Sequence, residues 1–396
     1  LYAQQALNPY NNHSQALGQF FEANSNTNDI GTGHHYYNEE SAIMLNGYIQ
    51  GTDGQLPNLE QINKMSKALG QFFEANSNTN DIGTGHHYYS EEAAIMLNGY
   101  IQGTDGQLPN LEQINKMSKA LGQFFEANSN TNDIGTGHHY YSEEAAIMLN
   151  GYIQGTDGKF PNLEQINKMS KSLGQFFEAN SNTNNIGTGH HYYSEEAAIM
   201  LNGYIQGTDG KFPNLEQINK MSKSLGQFFE ANSNTNDIGT GHHYYNEESA
   251  IMLSGYMQAN GGELPNLEQI NKMSKSLGQF LEANSKTNDI GTGHHYYSEE
   301  SAIILNGYMQ ANNGKLPNLE QINEMSKSLG QFFKANSEVN NIGTGHHFYG
   351  KEAANIIKAT LIGKNNFSKQ LSHNNSSNKT ITFAQAQAMM AKNQRG

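Results

Sequence analysis

The chain has 396 residues, no Cys, no Trp, a single Arg at Arg395 and a formal charge of -14. That composition excludes a disulfide framework and thiolate metal sites, and so acidic a chain with one Arg is a poor fit to a phosphate backbone, so no nucleic-acid partner is expected. No run reaches the ~18 to 20 apolar residues of a membrane helix and no basic-then-apolar signal opens the chain, so membrane insertion is not expected either.

In chain order, residues 1–16, with Pro9, read as an N-terminal cap in place of most of a first long helix. From Leu17 the string LGQF recurs every 52 residues, at Leu69, Leu121, Leu173, Leu225, Leu277 and Leu329. So regular a repeat is one supersecondary unit stacked on copies of itself. In the copy that begins at Leu69, Ser90 precedes Glu91 and Glu92 and the run Ala93 to Gln102. A small polar residue ahead of acidic ones predicts a helix N-terminus. Gly103 closes that helix, and Thr104, Asp105 and Gly106 form a turn.

A second helix opens after Pro109, with Asn110 as its cap and Gln113 completing a box-like pattern three residues on. Leu111, Ile114, Met117, Leu121, Phe124 and Phe125 then recur at steps of three or four, which predicts one buried helix face. Gly99 and Gly122 inside these helices cost about 1 kcal/mol each relative to Ala, so close helix approach is the expected compensation. The unit ends in a loop of about thirteen residues, NSNTNDIGTGHHY. The fold expected is all-α: an α-solenoid of seven 52-residue two-helix repeats over residues 17–380, with terminal caps. The last copy is diverged and basic and reads as the C-terminal cap, with a short tail helix within residues 381–396.

Every copy retains IGTGHH, even the diverged last one, whereas the turn between the helices changes to Asn260-Gly261-Gly262 and Asn312-Asn313-Gly314. The long loop is therefore the candidate binding surface. Its residues are His34, His35 and Tyr37; His86, His87 and Tyr89; His138, His139 and Tyr141; His190, His191 and Tyr193; His242, His243 and Tyr245; His294, His295 and Tyr297; and His346, His347 and Tyr349. Tyrosine supplies broad contact at low entropic cost, and His and Asn beside it suit adaptable polar recognition. A purely structural role, with glycines supplying positive φ and His and Tyr packing over the next helix, fits the same residues.

Metal binding is an alternative, since the paired His and the retained Glu40, Glu92, Glu144, Glu196, Glu248, Glu300 and Glu352 include zinc-ligand types, but no fingerprint spacing such as HExxH accompanies them. A calcium loop fails on its own ligands: Ile101 and Gly103 stand where the first oxygens belong, and Lys286 replaces Asn78. Nor do repeated His, Glu and Tyr make an asymmetric catalytic pocket. The expectation is a non-enzymatic repeat protein, without cofactor or metal site, that presents a ladder of loops for multivalent binding of a protein or glycan partner or for self-association. A structural spacer or filament-forming array is the other reading. The Asn-rich, Arg-poor composition points to an AT-rich bacterial genome, and repeat arrays of this kind often sit on secreted or surface proteins, which gives the expected localisation.

Overall fold

The computed structural model describes residues 10–27, 38–79, 90–131, 142–183, 194–235, 246–287, 298–339, 351 and 353–363. These residues form helices joined by a turn and a short irregular connection, with no strand among them. The long helices are α1 (Asn11–Thr27), α3 (Leu59–Thr79), α5 (Leu111–Thr131), α7 (Leu163–Thr183), α9 (Leu215–Thr235), α11 (Leu267–Thr287) and α13 (Leu319–Val339). Short helices alternate with them: α2 (Asn38–Gly51), α4 (Ser90–Gly103), α6 (Ser142–Gly155), α8 (Ser194–Gly207), α10 (Asn246–Ala259) and α12 (Ser298–Ala311). Residues 353–363 form a last short helix, α14. The chain is thus an all-α array of seven two-helix repeats.

Each helix begins and ends where its local chemistry dictates. At α5 the Asn110 backbone N–H donates to Gln113 Oε1 at 2.7 Å while the Gln113 N–H donates to Asn110 Oδ1 at 3.0 Å, a reciprocal capping box. Gln113 Nε2 also donates to the Tyr100 hydroxyl at 2.5 Å, tying the cap of the long helix to the short one before it. The turn between them needs two successive left-handed residues, Asp105 at φ 53° and Gly106 at φ 82°. The Gly106 N–H then reaches the Ile101 carbonyl at 2.8 Å and Thr104 Oγ1 donates to the Tyr100 carbonyl at 2.6 Å, satisfying the helix end. The later turn variants keep this chemistry. Asn260 and Asn312 replace the threonine, and their Nδ2 atoms donate to the Tyr256 and Tyr308 carbonyls at 2.7 and 2.8 Å.

Long helices pack on long helices and short on short, one repeat to the next, and α1 packs against α13. The array therefore closes into a ring, with the short helices inside. The two ends, read from the sequence as terminal caps, lie against each other. Tyr10 meets Phe332 edge to face at 5.5 Å between ring centroids, and Thr360 Oγ1 lies 3.4 Å from His13 Nε2. Tyr10 and His13 stand where the other copies carry an Ile and a Met, such as Ile62 and Met65. At the other side of the seam, a Cβ on Gly363 of α14 would fall 2.5 Å from the Gly54 nitrogen beyond α2. An end that meets its counterpart buries the apolar face an open stack would expose, so no polar outer cap is needed. The expected tail helix lies outside the described residues.

The core runs unbroken between the two layers. One phenylalanine of each long helix, from Phe20 to Phe332, is fully buried, as are Ile114, Met117 and Leu121 of α5. Leu111 departs from expectation: it and its equivalents are more than half exposed, because the helix starts there and the first core position is Ile114. The long helix also runs on through Asn128 to Thr131, residues the sequence pattern assigned to the loop. Asn128 is 2% exposed. Where the facing short helix carries Ser, the equivalent Asn donates to it, as in Asn24 to Ser41 at 2.9 Å and Asn284 to Ser301 at 3.1 Å. The helices that lack this bond end at the equivalent residue, so burial of the Asn against the short helix accompanies the extra turn in every copy described.

Candidate functional site: the axial channel

The seven short helices run parallel around the axis, and the residues they turn inward follow one stripe at steps of four, three and four. In α4 these are Glu91, Ile95, Asn98 and Gln102. An apolar helix with a polar stripe down one side has this form when the stripe faces a channel. From one mouth to the other the channel is layered: carboxylates, isoleucines, Asn, Gln.

The Asn layer holds Asn46, Asn98, Asn150, Asn202, Ser254 and Asn306, and Lys358 takes the seventh place. Gln50, Gln102, Gln154, Gln206, Gln258 and Gln310 form the layer beyond it. Together with the isoleucines they line a cavity of about 200 Å³. The amides are stitched between repeats: Asn98 Nδ2 donates to the Ile43 carbonyl at 2.5 Å, and Asn150, Asn202 and Asn306 make the same bond one repeat back at 2.6, 2.7 and 2.6 Å. Gln50, Gln102, Gln206 and Gln310 each close over their own Asn, as Gln102 Nε2 does on Asn98 Oδ1 at 2.8 Å, whereas Gln154 Nε2 donates to Gln102 Oε1 of the preceding repeat. Close approach of neighbouring short helices makes this stitching possible. The Gly99 position allows it, since a Cβ there would lie 3.0 Å from Asn150 Cα.

At the mouth where the short helices begin, Glu91, Glu143, Glu195, Glu247 and Glu299 converge, and Lys351 replaces the glutamate of the seventh repeat. Lys351 Nζ pairs with Glu299 Oε1 at 2.8 Å. Its charge also reaches Glu143 and Glu195, repeats away in sequence, which requires them to face one axis. Burial, with repulsion from neighbouring carboxylates behind it, pushes Glu143 and Glu195 up to about 8. Glu247 and Glu299 rise to about 7 for the same first reason and hydrogen-bond to each other. Two carboxyls in that arrangement share a proton.

The second glutamate of each pair behaves differently. Glu92, Glu144 and Glu196, grouped by sequence with the His pairs as possible metal ligands, are buried beneath the rim. Glu196 accepts a hydrogen bond from its own backbone N–H, a helix-start role, and burial raises it to about 7. Among the described residues no His, Asp and Glu cluster has metal-site geometry. Among the same residues no helix is long and apolar enough to cross a membrane.

All twenty-one predicted binding residues, from His34, His35 and Tyr37 to His346, His347 and Tyr349, lie outside the described residues. The segments that carry them are each joined covalently to the first residue of a short helix, three or four residues after the His pair. Sequence reasoning missed the channel residues themselves. The signal was present, as polar Glu, Asn and Gln at helical spacing within the apolar short helix, and as two lysines seven apart in the last copy at those same positions.

No family model matches the chain, and neither a curated protein nor a solved structure resembles it.

Proposed function

We propose that the chain is a non-enzymatic binding ring that engages a protein or glycan partner multivalently at the rim where its short helices begin. The supporting observation is closure. Seven copies of GTGHHYY or its variant GTGHHFY run directly into seven helices whose first turns converge on one acidic mouth. A ring of equivalent attachment points favours a ligand that touches several at once, because each contact after the first forms at high effective concentration. Closure weighs against a spacer, since a closed ring does not lengthen by adding repeats.

The test compares the intact ring with a ring in which all seven His pairs are changed to Ala, on a glycan array and in pull-downs. Both proteins are first matched for helix content and sedimentation. Ligands retained by the intact ring and lost by the variant support the reading; equal retention contradicts it. A second reading, self-association through the opposite rim, is favoured by Leu59, Leu111, Leu163, Leu215, Leu267 and Leu319, each 53 to 55% exposed there. Sedimentation velocity of a variant with these six changed to Gln tests it: stacking predicts loss of the larger species.

A further inference from the structure

Six of the seven positions in the Asn layer are neutral, and the seventh is a lysine. The Lys358 stem crosses Gly307 of the neighbouring helix, where a Cβ would lie 3.0 Å from Lys358 Cα. Lys358 lines the cavity together with the Asn and Gln amides. Among the described residues no carboxylate pairs with it. On the inward stripe the nearest carboxylates are Glu299 and its equivalents, at the level of Lys351, and seven residues of helix set the two lysine levels ~10 Å apart. Ile147, Ile199, Ile251 and Ile303 stand between. Lys358 is therefore not a counter-ion of the acidic mouth. Burial alone depresses it, to about 8, so it is still mostly protonated at neutral pH.

Lys358 is half-buried, its exposed part lining the chamber, and there it lacks a negative charge that would offset its lost hydration. The wall supplies the rest of an anion site. Each side-chain amide nitrogen carries two N–H groups, and Asn98, Asn202 and Asn306 each direct one at the carbonyl of the preceding repeat. The second N–H is left for the chamber. The short helices end at the Gln mouth, where exposed carbonyls would repel an anion, but the Ile101 and Tyr100 carbonyls are already engaged by Gly106 and Thr104.

We propose that the axial chamber binds one small anion, a carboxylate or an inorganic ion of similar size, held by the Lys358 ammonium and the amide N–H groups of the Asn layer, with entry from the Gln mouth. Calorimetric titration of the full chain tests this with sodium acetate in chloride-free buffer and, separately, sodium chloride in acetate-free buffer. The chain should bind one anion per ring, saturably. Saturation by acetate alone assigns the site to carboxylates, and saturation by chloride alone to inorganic ions. K358N, which restores the residue found at five of the other six positions, should keep the helix content and lose at least about ten-fold in affinity, as should K358Q. Absence of saturable binding to the unaltered chain overturns the proposal, and so does an affinity of K358N and K358Q equal to that of the unaltered chain.

Discussion

Glu195 carries the sharpest residue-level consequence of the ring. A carboxyl in an unfolded chain titrates near ~4.3, while burial and its neighbours hold Glu195 and Glu143 near about 8 and Glu247 and Glu299 near about 7. Between those values the folded ring keeps protons that the unfolded chain releases. Their contribution to stability is thus complete below the unfolded value and is lost as pH rises through 7 to 8. The melting temperature should fall between about pH 5 and about pH 8, and E195Q should flatten that fall. A profile that E195Q leaves unchanged would contradict the account. The Gly-His-His loops stood out in the sequence because they stay unchanged even in the diverged last copy, whereas the turn between the helices varies. The channel face was also written there, but as a polar stripe in a short apolar helix it resembles an ordinary solvent face until the ring is closed.

At the scale of elements, the caps and turns were legible because their chemistry is local. Asn110 with Gln113, and Thr104 with Gly106, satisfy backbone groups within a few residues. What was not legible depended on tertiary neighbours. Leu111 has the spacing of a core residue but sits at the rim, and Asn128 has loop chemistry but is buried against the short helix. The glycine within each short helix was read as a site of close approach, and at Gly99 and Gly203 that is what it does. A Cβ at Gly203 would lie 2.6 Å from Ser254 Cα, a backbone atom that cannot turn aside. Alanine normally gains about 1 kcal/mol over glycine inside a helix, whereas forcing atoms into a packed interface costs about 1 to 3 kcal/mol. G203A should therefore destabilise the protein in chemical denaturation; a stabilised G203A would show that the helices are farther apart than described.

For the whole molecule, the repeat pattern specified which helix packs on which, since each 52-residue unit carries the same faces. It did not specify curvature, because a small turn per repeat leaves every local contact nearly the same whether the stack is open or closed. The difference lies at the ends. In an open stack, removing terminal repeats lowers stability by similar steps. In the ring, removing α13 takes its packing from α1 as well as from α11 and uncovers two apolar faces at once, so a chain ending at Thr287, the end of α11, should lose far more stability than the next 52-residue deletion adds. Equal steps on successive truncation would favour the open form.

Closure itself is tested most directly by distance across the seam. The chain has no Cys, so paired spin labels go cleanly onto the exposed positions Glu22, Glu126 and Glu282, which occupy equivalent places on α1, α5 and α11. Glu22 and Glu126 are two repeats apart along the chain, while Glu22 and Glu282 are five repeats apart along the chain but two across the seam. At ~8 to 10 Å per packed helix, double electron-electron resonance should give both pairs the same distribution near ~16 to 20 Å. A Glu22–Glu282 distance near ~40 to 50 Å, with Glu22–Glu126 unchanged, would mean that the ring is open.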